Sequence, residues 1–134
     1  MLTEEKVNVR IRLAALWTSV LFCFIYADYF ELYAPGKVES LISGNNVLDS
    51  PAKLLIASVV LAIPSGLIAM TVLLKAKISR FLNIFFGVVY TLMMLLIAFT
   101  SFTKWYGFYV LYAFLESFLT MTIIWQAWHW PKAE

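Results

Sequence analysis

The chain has 134 residues, 63% of them hydrophobic and 17% aromatic, with 13% charged and a formal charge of +2. With a mean hydropathy of +0.85, such a composition lies outside the range of a soluble domain and makes the lipid bilayer the expected solvent and partner. The basic residues lie scattered along the chain and do not form the patch that a nucleic-acid backbone requires, so no nucleic-acid partner is expected.

The first apolar stretch, residues 13–33, follows Arg10 and Arg12 as the core of a signal peptide would. It is longer than such a core, and Phe24 to Ala27 offers no pair of small residues for cleavage, so it reads as a retained membrane-spanning helix. Cys23 stands alone in the chain and can form neither an intrachain disulfide nor a multi-thiolate metal site. It is expected to be a small buried hydrophobe. Pro35-Gly36 closes this span. Val38, Leu41 and Ile42 then recur at helical spacing, giving a short interfacial helix over 37–43 before Gly44-Asn45-Asn46 breaks the run.

Ser50 followed by Pro51 is an N-cap followed by a proline at the first helical position, and it opens a second span over 52–74. Pro64 within that span removes a backbone donor, with Ser65-Gly66 beside it, and predicts a kink near mid-membrane. Ser58, Ala62 and Gly66 recur every four residues as a stripe of small side chains suited to close helix packing. A basic hairpin from Lys75 to Arg80 leads to a third span over 81–100, which carries Asn83 near one boundary and Tyr90 and Thr91 within. A tight turn from Ser101 to Tyr106 leads to the fourth span, 106–128. Asn83 and Gln126 are placed to cap or bridge helices, and His129 falls beyond the last span as an interfacial anchor. Each stretch is near the ~20 residues that a helix needs to cross the hydrocarbon core. Short links favour antiparallel neighbours. The expectation is an all-α polytopic membrane protein, an antiparallel bundle of four transmembrane helices forming one domain over residues 1–134.

Basic residues favour the cytoplasmic side of a membrane. Lys6, Arg10, Arg12, Lys75, Lys77, Arg80 and Lys132 fall on one side, and Lys37, Lys53 and Lys104 on the other. Both termini are therefore expected in the cytoplasm of a multi-pass protein. Trp17, Trp125, Trp128 and Trp130 would anchor the inner interface, and Tyr33, Trp105 and Tyr106 the outer one.

Glu116 is the deepest acid. It lies about ten residues into the fourth span, or ~15 Å from its outer end at the rise of an α-helix. A carboxylate near the midplane is costly and normally faces a bundle interior or a wet cavity. No Lys or Arg is expected at its depth, so it must be protonated, hydrogen-bonded, hydrated or paired with a ligand cation. Tyr109, Tyr112, Glu116 and Thr120 share one helix face, while Asp28 and Glu31 lie one turn apart near the outer end of the first span. If the first and fourth spans are neighbours, Asp28, Glu31, Tyr112 and Glu116 line an acidic pocket beside Pro64, and Tyr109, on the same face as Glu116, is a further candidate ligand- or proton-binding residue. The plainer alternative has Asp28 and Glu31 ending a helix and Glu116 bonded to Tyr, Ser or Thr. No spacing of nucleophile and base marks an enzyme, and no cofactor or metal is implied.

At Leu13-Ala14-Ala15-Leu16-Trp17 and Tyr26-Ala27-Asp28-Tyr29-Phe30-Glu31-Leu32-Tyr33-Ala34-Pro35-Gly36 the chain resembles a family of uncharacterised bacterial four-helix membrane proteins, with a distant likeness to DoxX-like proteins. The resemblance implies a small protein of the bacterial inner membrane and transfers no catalytic residue. Small multidrug-resistance exporters share the size and helix number, but their signature carboxylate is in the first helix, whereas here the deepest acid is in the fourth. Two readings follow. One is binding or transport of a cation, proton or small amphiphile through the acidic pocket. The other is an accessory or assembly subunit that associates with copies of itself or with another membrane protein through the small stripe on the second span.

Overall fold

The structure, a computed structural model, describes residues 1–132; the expected domain of 1–134 extends two positions beyond them. It contains α1 (Val9–Glu31), the short α2 (Lys37–Ser43), α3 (Pro51–Leu73), α4 (Ala76–Thr100) and α5 (Gly107–Trp128). The four long helices are each long and apolar enough to cross a membrane. Their outward surfaces carry Leu55 and Val59 on α3, Leu92 and Leu96 on α4, and Leu111 and Phe118 on α5, all exposed. Apolar surface on that scale suits contact with acyl chains or with other proteins.

α1 is the central staff. Val9, Leu13, Trp17, Val20, Phe24 and Ala27 recur at steps of three and four residues and are all buried, so one stripe of α1 faces the bundle. It packs against α3 on one side and α5 on the other, and α5 packs in turn on α4. The first and fourth spans are thus neighbours. The α4–α5 contact depends on Gly87: a Cβ there would lie 2.7 Å from Ile124 Cγ1 and 3.4 Å from the Thr120 carbonyl. Thr91 and Thr120 meet across the same seam with their hydroxyls 2.6 Å apart.

Several expectations are corrected here. Trp17 is not an interfacial anchor. It is fully buried, meets Tyr90 edge-on at 5.9 Å, and donates from Nε1 to Asn83 Oδ1 at 2.8 Å. Asn83 then donates to Thr71 Oγ1 (3.1 Å) and to the Ser79 carbonyl (2.7 Å), tying α1, α3 and α4 together at the hairpin end. The hairpin itself is only Leu74 and Lys75, because α4 begins at Ala76 and absorbs Lys77 and Arg80 into its opening turns. Despite that short link, α3 and α4 touch each other far less than the other neighbouring pairs do. The small stripe of α3, by contrast, faces out of the bundle and so stays available to a further helix: Ser58 and Ala62 are exposed and Gly66 is half-buried, while Pro64, Leu67 and Thr71 form the buried face.

α3 runs as a continuous helix through Pro64. Proline has no N–H to offer the carbonyl four residues earlier, which is that of Val60. Tyr90, nearly fully buried on α4, donates its hydroxyl to that carbonyl instead. A buried acceptor left by one helix is thus satisfied by its neighbour.

At the hairpin end two arginines close helix C-termini. Arg10 donates to the carbonyls of Leu74 (2.6 Å) and Thr71 (2.9 Å) at the end of α3. Arg80 donates to Ala127 (3.1 Å) and Trp128 (3.3 Å) at the end of α5. Carbonyls at a helix C-terminus lack intrahelical donors and carry partial negative charge, so a guanidinium suits both needs. Each guanidinium also lies 5.3 Å from a tryptophan ring centroid, Arg10 on Trp130 and Arg80 on Trp128.

Candidate functional site: an acidic cavity at the α2 end

At the opposite end the bundle forms an open-mouthed cavity of ≈ 410 Å³. α1 contributes Phe24, Ala27, Asp28 and Glu31, and α5 contributes Tyr109, Ala113 and Glu116. α3 and α4 supply apolar walls, and Lys37, Val47 and Leu48 form part of the mouth. Because α1 and α5 pack side by side, the outer acids of α1 and the deep acid of α5 look into the same space.

The mouth and the floor differ electrostatically. At the mouth, Lys37 Nζ lies 2.8 Å from Glu31 Oε1 and the Tyr106 hydroxyl donates to the same oxygen at 3.4 Å. Glu31 is thereby neutralised by the first residue of α2. Burial pushes the Tyr106 phenol above its ordinary value, and the Glu31 carboxylate beside it adds to the effect. Deeper in, Glu116 is 3% exposed and its Oε1 has no hydrogen-bond partner among the described residues. Its own backbone carbonyl accepts from Thr120, so the neighbouring hydroxyl satisfies the main chain and not the carboxyl. Ser117, next to it, donates to the Ala113 carbonyl. Asp28, at the surface of the same cavity, makes no ion pair among the described residues.

Of the residues singled out from the sequence, Glu116, Asp28, Glu31 and Tyr109 converge on the cavity. Tyr112 does not. Its ring stacks on Phe30 of α1 with centroids 6.4 Å apart, on another side of the α1–α5 contact. Pro64 is buried outside the cavity and acts there only indirectly, by recruiting Tyr90 to Val60, a cavity-lining residue. The parts missed in the sequence are apolar: Phe24, Met93, Met94 and Ile97 shape the space, and nothing distinguishes them from ordinary core residues in an apolar span. Lys37 was legible as a charge but not as the partner of Glu31, because that pairing depends on how α2 folds back. The described residues bring no three of His, Cys, Asp and Glu together as metal ligands.

A partly apolar cavity with one unpartnered buried carboxyl can neutralise a positive charge without fully hydrating it. The chain belongs to a family described as "Family of unknown function (DUF6326)", whose model matches residues 2–134. No curated protein and no solved structure matches it. The family match lends no support to the DoxX-like resemblance.

Proposed function

We propose that this is a non-enzymatic protein of the bacterial inner membrane, with both termini cytoplasmic, that binds a small cation in the cavity at its outer face. The observation that carries the reading is Glu116: a buried carboxyl whose Oε1 lacks a partner, on the wall of a cavity large enough for a ligand. Asp28 adds negative charge nearer the mouth. The Glu31–Lys37 pair keeps the lysine at the mouth occupied, so it does not neutralise Glu116. Transport would require a second access route, and Trp17, Asn83, Thr71 and Ser79 close the hairpin end in this state.

The test is calorimetric titration of tetramethylammonium into purified protein in lipid nanodiscs. Saturable binding that weakens at least tenfold in Glu116→Gln, a loss of at least ~1.4 kcal/mol, supports the reading. Equal binding by wild type and Glu116→Gln contradicts it.

A second reading rests on the outward small stripe of α3. Ser58 and Ala62 leave a shallow surface with no partner inside the bundle, which suits close approach by another transmembrane helix in an accessory or self-associating role. Ala62→Leu would then abolish co-purification or self-association while leaving thermal stability intact.

A further inference from the structure

The side wall of the cavity bears on which class of cation it would suit. α3 and α4 are bound together at the hairpin end by Asn83 and Thr71, and midway by the Tyr90 hydroxyl on the Val60 carbonyl. Beyond that point they face one another across the cavity. Ala57, Val60 and Leu61 stand on one lip, and Met93, Met94 and Ile97 on the other. All six side chains are apolar, and the two helices make few direct contacts. The outer surfaces of these lips are the apolar faces that acyl chains would cover.

A divalent inorganic cation fits this space poorly. Calcium and magnesium require six or more oxygen ligands, or retained waters. Here the carboxyls of Glu116 and Asp28 are set among aliphatic, thioether and aromatic groups. A quaternary ammonium is weakly hydrated, is satisfied by one counter-charge, and gains from aromatic faces such as those of Phe24 and Tyr109.

We propose that the ligand is a single-chain cationic amphiphile taken from the outer leaflet, with its ammonium head against Glu116 and its hydrocarbon chain leaving the bundle between α3 and α4. This rests on the reading of Glu116 as the counter-charge of a bound cation. It adds a side entrance and a tail requirement, in keeping with the apolar residues that α3 and α4 contribute to the cavity.

The experiment compares tetramethylammonium with hexyl- and dodecyl-trimethylammonium in nanodiscs, using wild type, Glu116→Gln and Ala57→Phe. Ala57 lines the α3 lip and is only half-buried. The expected result is that Ala57→Phe weakens the dodecyl compound at least tenfold and leaves tetramethylammonium within twofold, while Glu116→Gln weakens both. Leu61→Trp, on the exposed rim of the α3 lip, should repeat the pattern and serves if Ala57→Phe does not fold. Chain-independent binding, or equal weakening of both ligands by the lip variants, overturns the side entrance while leaving the cation site standing. Tetramethylammonium binding that is indifferent to Glu116→Gln overturns the site and, with it, this inference.

Discussion

Replacing Tyr90 by Phe isolates the device that lets α3 carry a proline. The substitution removes one hydroxyl from a side chain that is 2% exposed and leaves the ring contacts to Trp17 and Phe24 in place. What is lost is the donor to the Val60 carbonyl, which Pro64 cannot supply. A buried acceptor stranded in this way costs ~1–3 kcal/mol, whereas hydrogen bonds between membrane helices average ~0.6 kcal/mol and reach ~1.7. A loss of ~1–1.5 kcal/mol is therefore expected for Tyr90→Phe. In a Pro64→Ala background the new N–H of residue 64 serves Val60, and the same substitution should cost less than ~0.5 kcal/mol. Reversible unfolding of the four variants in mixed detergent micelles, analysed as a double-mutant cycle, measures the coupling. Equal costs of Tyr90→Phe in both backgrounds would refute the claim that Tyr90 replaces the donor missing at Pro64.

Other substitutions probe the rest of the frame. Gly87→Ala places a methyl 2.7 Å from Ile124 Cγ1 and should cost ~1–3 kcal/mol in the same unfolding assay, partly recovered by adding Ile124→Ala. Asn83→Ala strands Trp17 Nε1 and Thr71, for an expected loss of ~2–3 kcal/mol, against less than ~0.5 for Gln126→Ala. Arg10→Ala uncovers the carbonyls of Leu74 and Thr71 and should cost ~1–2 kcal/mol, with faster amide hydrogen exchange confined to the last turn of α3. Tyr106 has a phenol raised above its ordinary value of 10.0, first by burial and then by Glu31. Its contribution to stability is present below pH ~10 and lost as the phenol ionises above it. Melting temperatures of wild type should thus fall more steeply from pH 9 to 11 than those of Tyr106→Phe, and parallel curves would exclude the effect.

The helices were legible because each span is a long apolar run with marked ends. Ser50 accepts from the Lys53 N–H at 3.2 Å beside Pro51, as its position before a proline implied. Glu116 was legible for the same reason, since a lone carboxylate stands out in an apolar run and must face inward. What the sequence did not carry was relative rotation. Tyr109 and Tyr112 both follow helical steps from Glu116, and only the packing of α5 on α1 decides that Tyr109 enters the cavity while Tyr112 meets Phe30. The same ambiguity applies to the small residues. The regular stripe at Ser58 and Ala62 faces outward, whereas the close approach occurs at the isolated Gly87. Trp17 was misread because a tryptophan near a span end suits an interface equally well, and its partner Asn83 comes from another helix. The loose contact between α3 and α4 runs against their short link, since a tight hairpin fixes proximity only at its own end.

Whether Glu116 looks into a cation-accepting space open to water can be read from a thiol placed beside it. In a Cys23→Ala background, Ala113→Cys puts the chain's one cysteine on the cavity wall, where a membrane-impermeant trimethylammonium thiosulfonate can reach it only through the opening. Labelling is expected from the α2 side of the membrane, slowed by tetramethylammonium when Glu116 is present and unaffected by it in Glu116→Gln. A cysteine at Phe118, on the outer apolar surface, should stay unlabelled. Silence at position 113, or equal protection with and without the Glu116 carboxyl, would contradict the account.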